Sequence, residues 1–312
     1  MKQKAGLTAW LMYVAVRTVF MVMHVFPIDW NLRTARILAG VWRRLMPRHW
    51  YRAVAHIEAS IGRGLTREEL HDLADRCLES VAMFAVEAVC LPRLIGRFTW
   101  PRYIRLDDFE EVLDLLIRER GVILVTAHYG PFELPGHLLA TLGFNVAAVM
   151  RPLDNVYLNG FLVRARQTHG LVLLDKKGMS QRAEQMLAEG AALGLIGDQD
   201  AGRKGLFVDF FARPASTYKS IALLAMSARC PIVVGFARRM GNRAKYVLSA
   251  QRIIRPEEWD GQDDPLRWIT QSYTSAIEDF VREEPAQYLW IHRRWKSQPK
   301  RARVQVPARS GP

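Results

Sequence analysis

Apolar residues fall in three different rhythms along this chain. From Leu7 to Phe26 the run LTAWLMYVAVRTVFMVMHVF is almost unbroken and about as long as a bilayer is thick. Farther along, apolar positions recur three and four apart, as in Ile37, Leu38, Val41 and Leu45, and again in Leu70, Leu73, Cys77 and Val81. That spacing predicts amphipathic helices over 33–62 and 66–91. Thr66 followed by Glu69 is a capping-box pattern for the start of the second.

From about residue 107 short apolar runs alternate with helical patterns. A helix near 107–120 leads to the strand GVILVTA, and one near 132–142 to FNVAAVM. Helices near 156–168 and 179–189 lead to LVLL and ALGLIGD. A helix from about 217 to 228 precedes PIVVGFA and KYVLSAQRI, and a last one over 265–283 ends at Pro285. Alternation of this kind predicts an α/β fold with a mixed, mostly parallel central sheet flanked by helices. Strands with little polar alternation suit burial on both faces. The expected organisation is an N-terminal anchor helix over 1–30 and one domain over 31–298, helical to 105 and α/β from 106. A basic tail over 299–312 is read as disordered.

Charge adds a partner to this picture. With 44 Lys and Arg against 31 Asp and Glu, the 312-residue chain carries a formal net charge of +13. Arg293, Arg294, Lys296, Lys300, Arg301, Arg303 and Arg309 follow Pro285 with no acid among them. Such a balance calls for an anionic partner: a membrane surface, an acidic protein or nucleic acid. The basic residues are not interleaved with aromatics on a nucleic-acid-binding module, which argues against the last. Trp290 and Trp295 beside Arg293, Arg294 and Lys296 read as an interfacial belt, with a sheet-edge segment as the alternative.

The N-terminal run points to a membrane as well. Arg17, near its middle, costs roughly 2.5–3.5 kcal/mol on insertion scales, so spanning and lying in the interface both stay open. Lys2 and Lys4 precede the run, whereas Arg33, Arg36, Arg43, Arg44, Arg48 and Arg52 follow it, which favours a cytoplasmic location for the rest of the chain. No small-residue cleavage site follows the run. Cys77, Cys90 and Cys230 are odd in number and sit in apolar settings, as reduced packing residues. No Cys or His pairs stand at zinc-ligand spacing.

The chemistry-bearing residues gather where the apolar strands end. In TAHYGPFE, residues 126–133, His128 leaves a buried strand and Glu133 follows at a helix start. A carboxylate on one imidazole nitrogen fixes the tautomer and leaves the other as a general base. The competing reading is a strand-ending histidine and a glutamate complementing the helix dipole. MRPLDN places Arg151 and Asn155 at the next strand end, VRARQTHG carries Arg164 and Arg166, and LIGDQD brings Asp198, Gln199 and Asp200 to another. FFARPAST then reads as an aromatic patch before a helix that starts at Ser216 and Thr217. Sites in open α/β sheets form at such carboxyl ends.

TAHYGPFE, MRPLDN, LIGDQD, FFARPAST and IHRRWKSQP, in that order, resemble the lipid A biosynthesis acyltransferases, the lauroyl- and myristoyl-transferases related to phosphatidylinositol mannoside acyltransferases. The resemblance covers roughly residues 10–298. It implies a glycerolipid-acyltransferase-like fold and transfer of a fatty acyl chain from a thioester on acyl carrier protein, or from acyl-CoA, to a glycolipid hydroxyl at the cytoplasmic face of the inner membrane. It implies no cofactor, metal or acyl-enzyme. His128 matches the base and Glu133 the carboxylate that orients it. Arg166, with Arg164 as the other choice, matches an arginine that holds phosphate or the oxyanion, and Asp200 matches a functional acid. Arg151, Asn155 and Asp198 fall among the substrate-positioning residues. The acceptor stays open between a lipid A precursor and a phosphatidylinositol mannoside, glycerolipid or amino-acid lipid. Tyr129 to Phe132 stand where relatives often have Gly-Asn-Trp, so Tyr129 and Phe132 either line an acyl slot or pack in the core.

Overall fold

A computed structural model describes residues 5–118, 121–150, 152–175 and 179–299. Four helices open the chain: α1 (Leu7–Val25), α2 (Ile28–Leu45), α3 (Pro47–Ile61) and α4 (Arg67–Leu94). The α/β part follows as β1 (Ile104–Asp107), α5 (Glu110–Ile117), β2 (Val122–Thr126), α6 (Leu134–Thr141), β3 (Val146–Met150), α7 (Val156–Gln167), β4 (Val172–Asp175), α8 (Met179–Ala188) and β5 (Ala192–Ile196). A hairpin of β6 (Leu206–Phe210) and β7 (Arg213–Thr217) precedes α9 (Ser220–Ala228), β8 (Ile232–Arg239), β9 (Tyr246–Ile254), α10 (Pro256–Trp259) and α11 (Pro265–Glu283).

The expected single helix over 33–62 is two helices. Pro47 lacks the amide that would continue α2, and its ring drives Met46 out of the helical region, to φ −134° and ψ 61°. The expected capping box at Thr66 and Glu69 is present at the start of α4. The helix expected from residue 217 begins only at Ser220. Ser216 and Thr217 belong to β7, which pairs antiparallel with β6 through a turn with Phe211 and Ala212 at φ 54° and 53°. Two positive φ values give the twist of a two-residue hairpin, and Phe211 N–H donates to Glu278 to hold it.

The central sheet has the order β1-β9-β8-β2-β5-β3-β4. Strands β8, β2, β5, β3 and β4 are mutually parallel, and β9 with β1 runs the other way. The expected mixed, mostly parallel sheet is therefore observed. Successive residues of β2 feed opposite layers, as two-sided burial requires. Ile123 and Val125 join the core with α8, α9 and α11, while Val122 joins the core under α2, α4 and α6.

Helix α1 is the one helix among the described residues long and apolar enough to cross a membrane, and none of its residues is buried. It rests on α7: Arg17 stacks 4.4 Å above the Phe161 ring, and Tyr13 and Phe20 meet Tyr157 and Phe161. Trp290 and Trp295 are not an interfacial belt. Both are buried, with Trp295 stacked on Phe210 and the Trp290 indole N–H donating to the Pro285 carbonyl.

Candidate active site at the ends of strands β2 and β5

Register brings the central pair together. Strands β2 and β5 are neighbours with Thr126 opposite Ile196, so the residues two places beyond each end, His128 and Asp198, emerge side by side. The Asp198 carboxylate takes a 2.8 Å hydrogen bond from His128 Nδ1 and a second, 3.1 Å, from the His128 backbone N–H. Its side chain is nearly inaccessible to solvent. Burial opposes ionisation of Asp198, but the charge and hydrogen bond of His128 outweigh it and hold the acid at about 2. Burial likewise pushes the His128 imidazolium down, and Asp198, helped by Glu133, reverses this so that its pKa lies above the ordinary histidine range. An ionised acceptor requires Nδ1 to carry the proton, which leaves Nε2 with its lone pair.

The ring partner expected at Glu133 is thus Asp198. Glu133 sits in the N-cap position of α6 and instead binds Arg166 in a fork, Nε to Oε2 at 2.9 Å and the terminal nitrogen to Oε1 at 2.5 Å. Bidentate guanidinium–carboxylate pairing fixes both groups. Arg166 also reaches the Met150 sulfur at 2.8 Å, so the start of α6, the end of β3 and α7 all converge here.

Other expected positions have different work. Asn155 caps α7, accepting from Tyr157 and Leu158 N–H, and its amide donates to the Ala9 carbonyl of α1 at 2.8 Å. It ties the two helices together. Asp200 accepts from Ser297 N–H and Oγ and from Gly202 N–H, and so pins the C-terminal segment. It does not pair with Arg166. Arg164 is exposed on α7 and two residues, about 200°, around the helix from Arg166, so the two cannot serve one point. Arg151 lies outside the described residues.

The C-terminal segment completes the site, which spacing along the chain did not reveal. Leu289 N–H donates to the His128 carbonyl, Gly130 N–H donates to the Gln287 carbonyl, and Tyr129 and Tyr288 form an antiparallel bridge. Gly130 has φ 50°, and a Cβ there would lie 2.5 Å from the Ala237 carbonyl. His292 is delivered beside His128, with ring centroids 5.4 Å apart. Burial, with the repulsion of His128, outweighs the attraction of Asp198 and pushes its pKa down, which favours the neutral ring. Arg294 is fully buried and donates to the Ser216 carbonyl, Thr217 Oγ1 and the Gln199 carbonyl. The only hint of this in the sequence was the IHRRWKSQP block.

His128, Asp198 and His292 bring potential ligand atoms within 4.8 Å of one another. Between His128 and Asp198 the 2.8 Å contact is that of a hydrogen bond, shorter than the roughly 3.3 Å that two tetrahedral zinc ligands keep. The arrangement suits proton transfer.

An apolar cavity of about 320 Å³ runs along one face of the sheet, under α4 and α6. Phe132 lines it, packs edge-on against the His128 ring at 5.0 Å and stacks on Phe84. Glu133 and Arg166 also contribute to its wall, and Gly194 and Ala148 give it a floor of small residues. Tyr129 is wholly buried in the core. Of the two aromatic candidates, Phe132 lines the cavity and Tyr129 is packing. Glu87 also reaches the cavity and is otherwise buried, bound twice by Arg239 at 2.6 Å and once by the Tyr246 hydroxyl.

Residues 2–297 match the family described as bacterial lipid A biosynthesis acyltransferase. The chain belongs to that family. Similar members include the lipid A biosynthesis lauroyltransferase of Escherichia coli K12, 24% identical over 300 residues and 93% of both chains. The palmitoleoyltransferase of the same organism is 27% identical over 208 residues, 64% of this chain and 65% of that one. The myristoyltransferase is 25% identical over 215 residues, 68% of this chain and 64% of that one. The chain thus spans just under two thirds of the palmitoleoyltransferase it matches. In this member of the family all three thiols are buried. Cys77 and Cys230 are buried and pushed up to about 12, and burial pushes Cys90 up to about 11.

Proposed function

We propose that this protein transfers a fatty acyl chain from a thioester to a hydroxyl of a lipid A-type glycolipid precursor, with acyl carrier protein as donor. His128 acts as general base through Nε2 on the acceptor hydroxyl, while Asp198 holds the ring and stabilises the imidazolium that forms. The hydroxylate attacks the thioester carbonyl, and the tetrahedral oxyanion collapses with loss of the thiolate, which takes the proton from His128. Arg166, locked by Glu133, provides the positive charge for the oxyanion or for an acceptor phosphate.

The observation that carries this reading is the His128–Asp198 pair meeting the apolar cavity at Phe132. A base beside a slot for a hydrocarbon chain suits acyl transfer. The basic surface suits an acidic carrier and an anionic lipid, and α1 suits attachment of the domain to the inner membrane's cytoplasmic face. The reading calls for no cofactor. Purified protein should move a labelled acyl group from acyl carrier protein to a panel of extracted acceptors, with products read by mass. Wild-type rates in a folded His128→Ala variant would sink the assignment of the base.

A further inference from the structure

Helix α2 buries one side and leaves the other unpartnered. Asn31, Leu32, Ala35 and Ala39 are buried against the domain, and Arg36 and Arg43 on that flank form ion pairs with Glu79 and Asp75 of α4. On the outer side Trp30, Ile37, Leu38, Val41 and Leu45 are exposed, Ile37 by 72% and Leu45 by 77%. At 100° per residue these five fall within an arc of about 100°, and from Trp30 to Leu45 they extend about 22 Å. Arg33 and Arg44 border the arc on one side, and both are exposed with no ion pair among the described residues. The arginines of this helix that face the domain are therefore matched to acids, and those that rim the apolar stripe are not.

We infer that the outer face of α2 lies in the plane of an anionic phospholipid surface, its apolar stripe among the acyl chains and Arg33 and Arg44 at the headgroups. A stripe of large apolar side chains with arginines on its rim is the pattern of an interfacial helix, and each such arginine is drawn to an anionic surface. The stripe also continues from α1. Phe26 stacks on Trp30, and the Asn31 amide donates to the Met23 carbonyl at 2.7 Å, so the corner between the helices is fixed. Because α1 is tied to α7 through Asn155, a docked α1–α2 corner sets the direction in which Arg166 and the cavity meet the membrane. The inference rests on the reading that the acceptor is a membrane lipid.

The test uses the full chain in vesicles containing phosphatidylglycerol, with no turnover required. Its native cysteines are buried, so environment-sensitive dyes can be placed singly in the variants Ile37→Cys, Val41→Cys and Leu45→Cys. Glu58→Cys, exposed on α3, and Val14→Cys, exposed on α1, serve as references. The expected result is blue-shifted emission, quenched by lipid-phase nitroxide, at 37, 41 and 45 as at 14, with aqueous emission at 58. Aqueous emission at all three α2 positions while position 14 is in lipid would overturn the inference. So would shielding that occurs only after acyl carrier protein is added, which would make the face a protein dock. Loss of acyl transfer with the expected emission would count against the proposed reaction alone.

Discussion

Asp198 holds His128 at two points, the ring Nδ1 and the backbone N–H, so the imidazole can neither rotate nor slide along β2. The two residues lie 70 positions apart and meet only because β2 and β5 are neighbours in register. This pair, and not His128 with Glu133, should dominate catalysis. His128→Ala is expected to lower kcat by about 10²–10⁴-fold, and Asp198→Asn to act comparably by freeing the ring and its tautomer. Single-turnover assays on variants with unchanged circular dichroism check this.

The acid limb of activity should lie above the ordinary imidazole pKa. His128 works as a base only when neutral, and Asp198 raises its pKa, so kcat/KM rises as pH increases through that raised value. Asp198→Asn removes the charge while burial remains, and the limb should move to lower pH. Stability runs the other way. The raised pKa makes the His128–Asp198 pairing fully stabilising below about 6.5, and that contribution is lost as pH rises through the folded-state value. Paired pH profiles of rate and thermal midpoint test both signs.

Arg166→Lys should lower kcat/KM although the charge is kept, because an ammonium cannot reproduce the fork to Glu133. Hydrogen bonds to charged groups are worth about 1.5–3 kcal/mol, so a loss of about 10–150-fold is expected. Glu133→Gln should cost a similar factor, and the double variant no more than the larger single loss. A double-mutant cycle reads that coupling.

Breaking the buried Glu87–Arg239 pair should cost far more stability than replacing it whole. Glu87→Ala or Arg239→Ala leaves one charge stranded and should cost about 3–5 kcal/mol, whereas changing both to methionine should be much milder. Urea denaturation of the three variants decides.

Gly194→Val should shorten the acyl chain that is accepted. A Cβ at 194 meets only Ala147 O at 3.5 Å and Ala148 Cβ at 3.9 Å, so a side chain can start there without a clash, and it raises the cavity floor. Each methylene excluded forfeits about 0.8 kcal/mol, or about fourfold in preference. Competition between donors of different chain length measures the shift.

The central sheet and most of its helices were legible because apolar runs two layers deep leave an unbroken mark on the sequence. The β6–β7 hairpin was not, since its turn is Phe211-Ala212 with none of the Asn or Gly that such φ values usually recruit. His128, Glu133, Arg166 and Asp198, all singled out in the sequence, come together in the fold, but with other partners than the spacing suggested. An i to i+5 spacing suggested that Glu133 reaches His128, whereas strand order decides that Asp198 does, and no local pattern carries strand order. Asn155 and Asp200 stand out in the sequence as polar residues beyond strand ends, and the bonds that they make there, to Ala9 and to Ser297, join segments that no local pattern connects.

The segment from Gln287 to Ser297 has a consequence for synthesis of the protein. It lies against His128, anchors on Asp200 and sends Arg294 into the core beside Thr217. A nascent chain can therefore have every strand of the sheet and still lack a finished site until residues 287–297 have left the ribosome. A chain that stops short of Gln287 would have the whole sheet but neither the backbone bond from Leu289 to His128 nor the Arg294 anchor in the core.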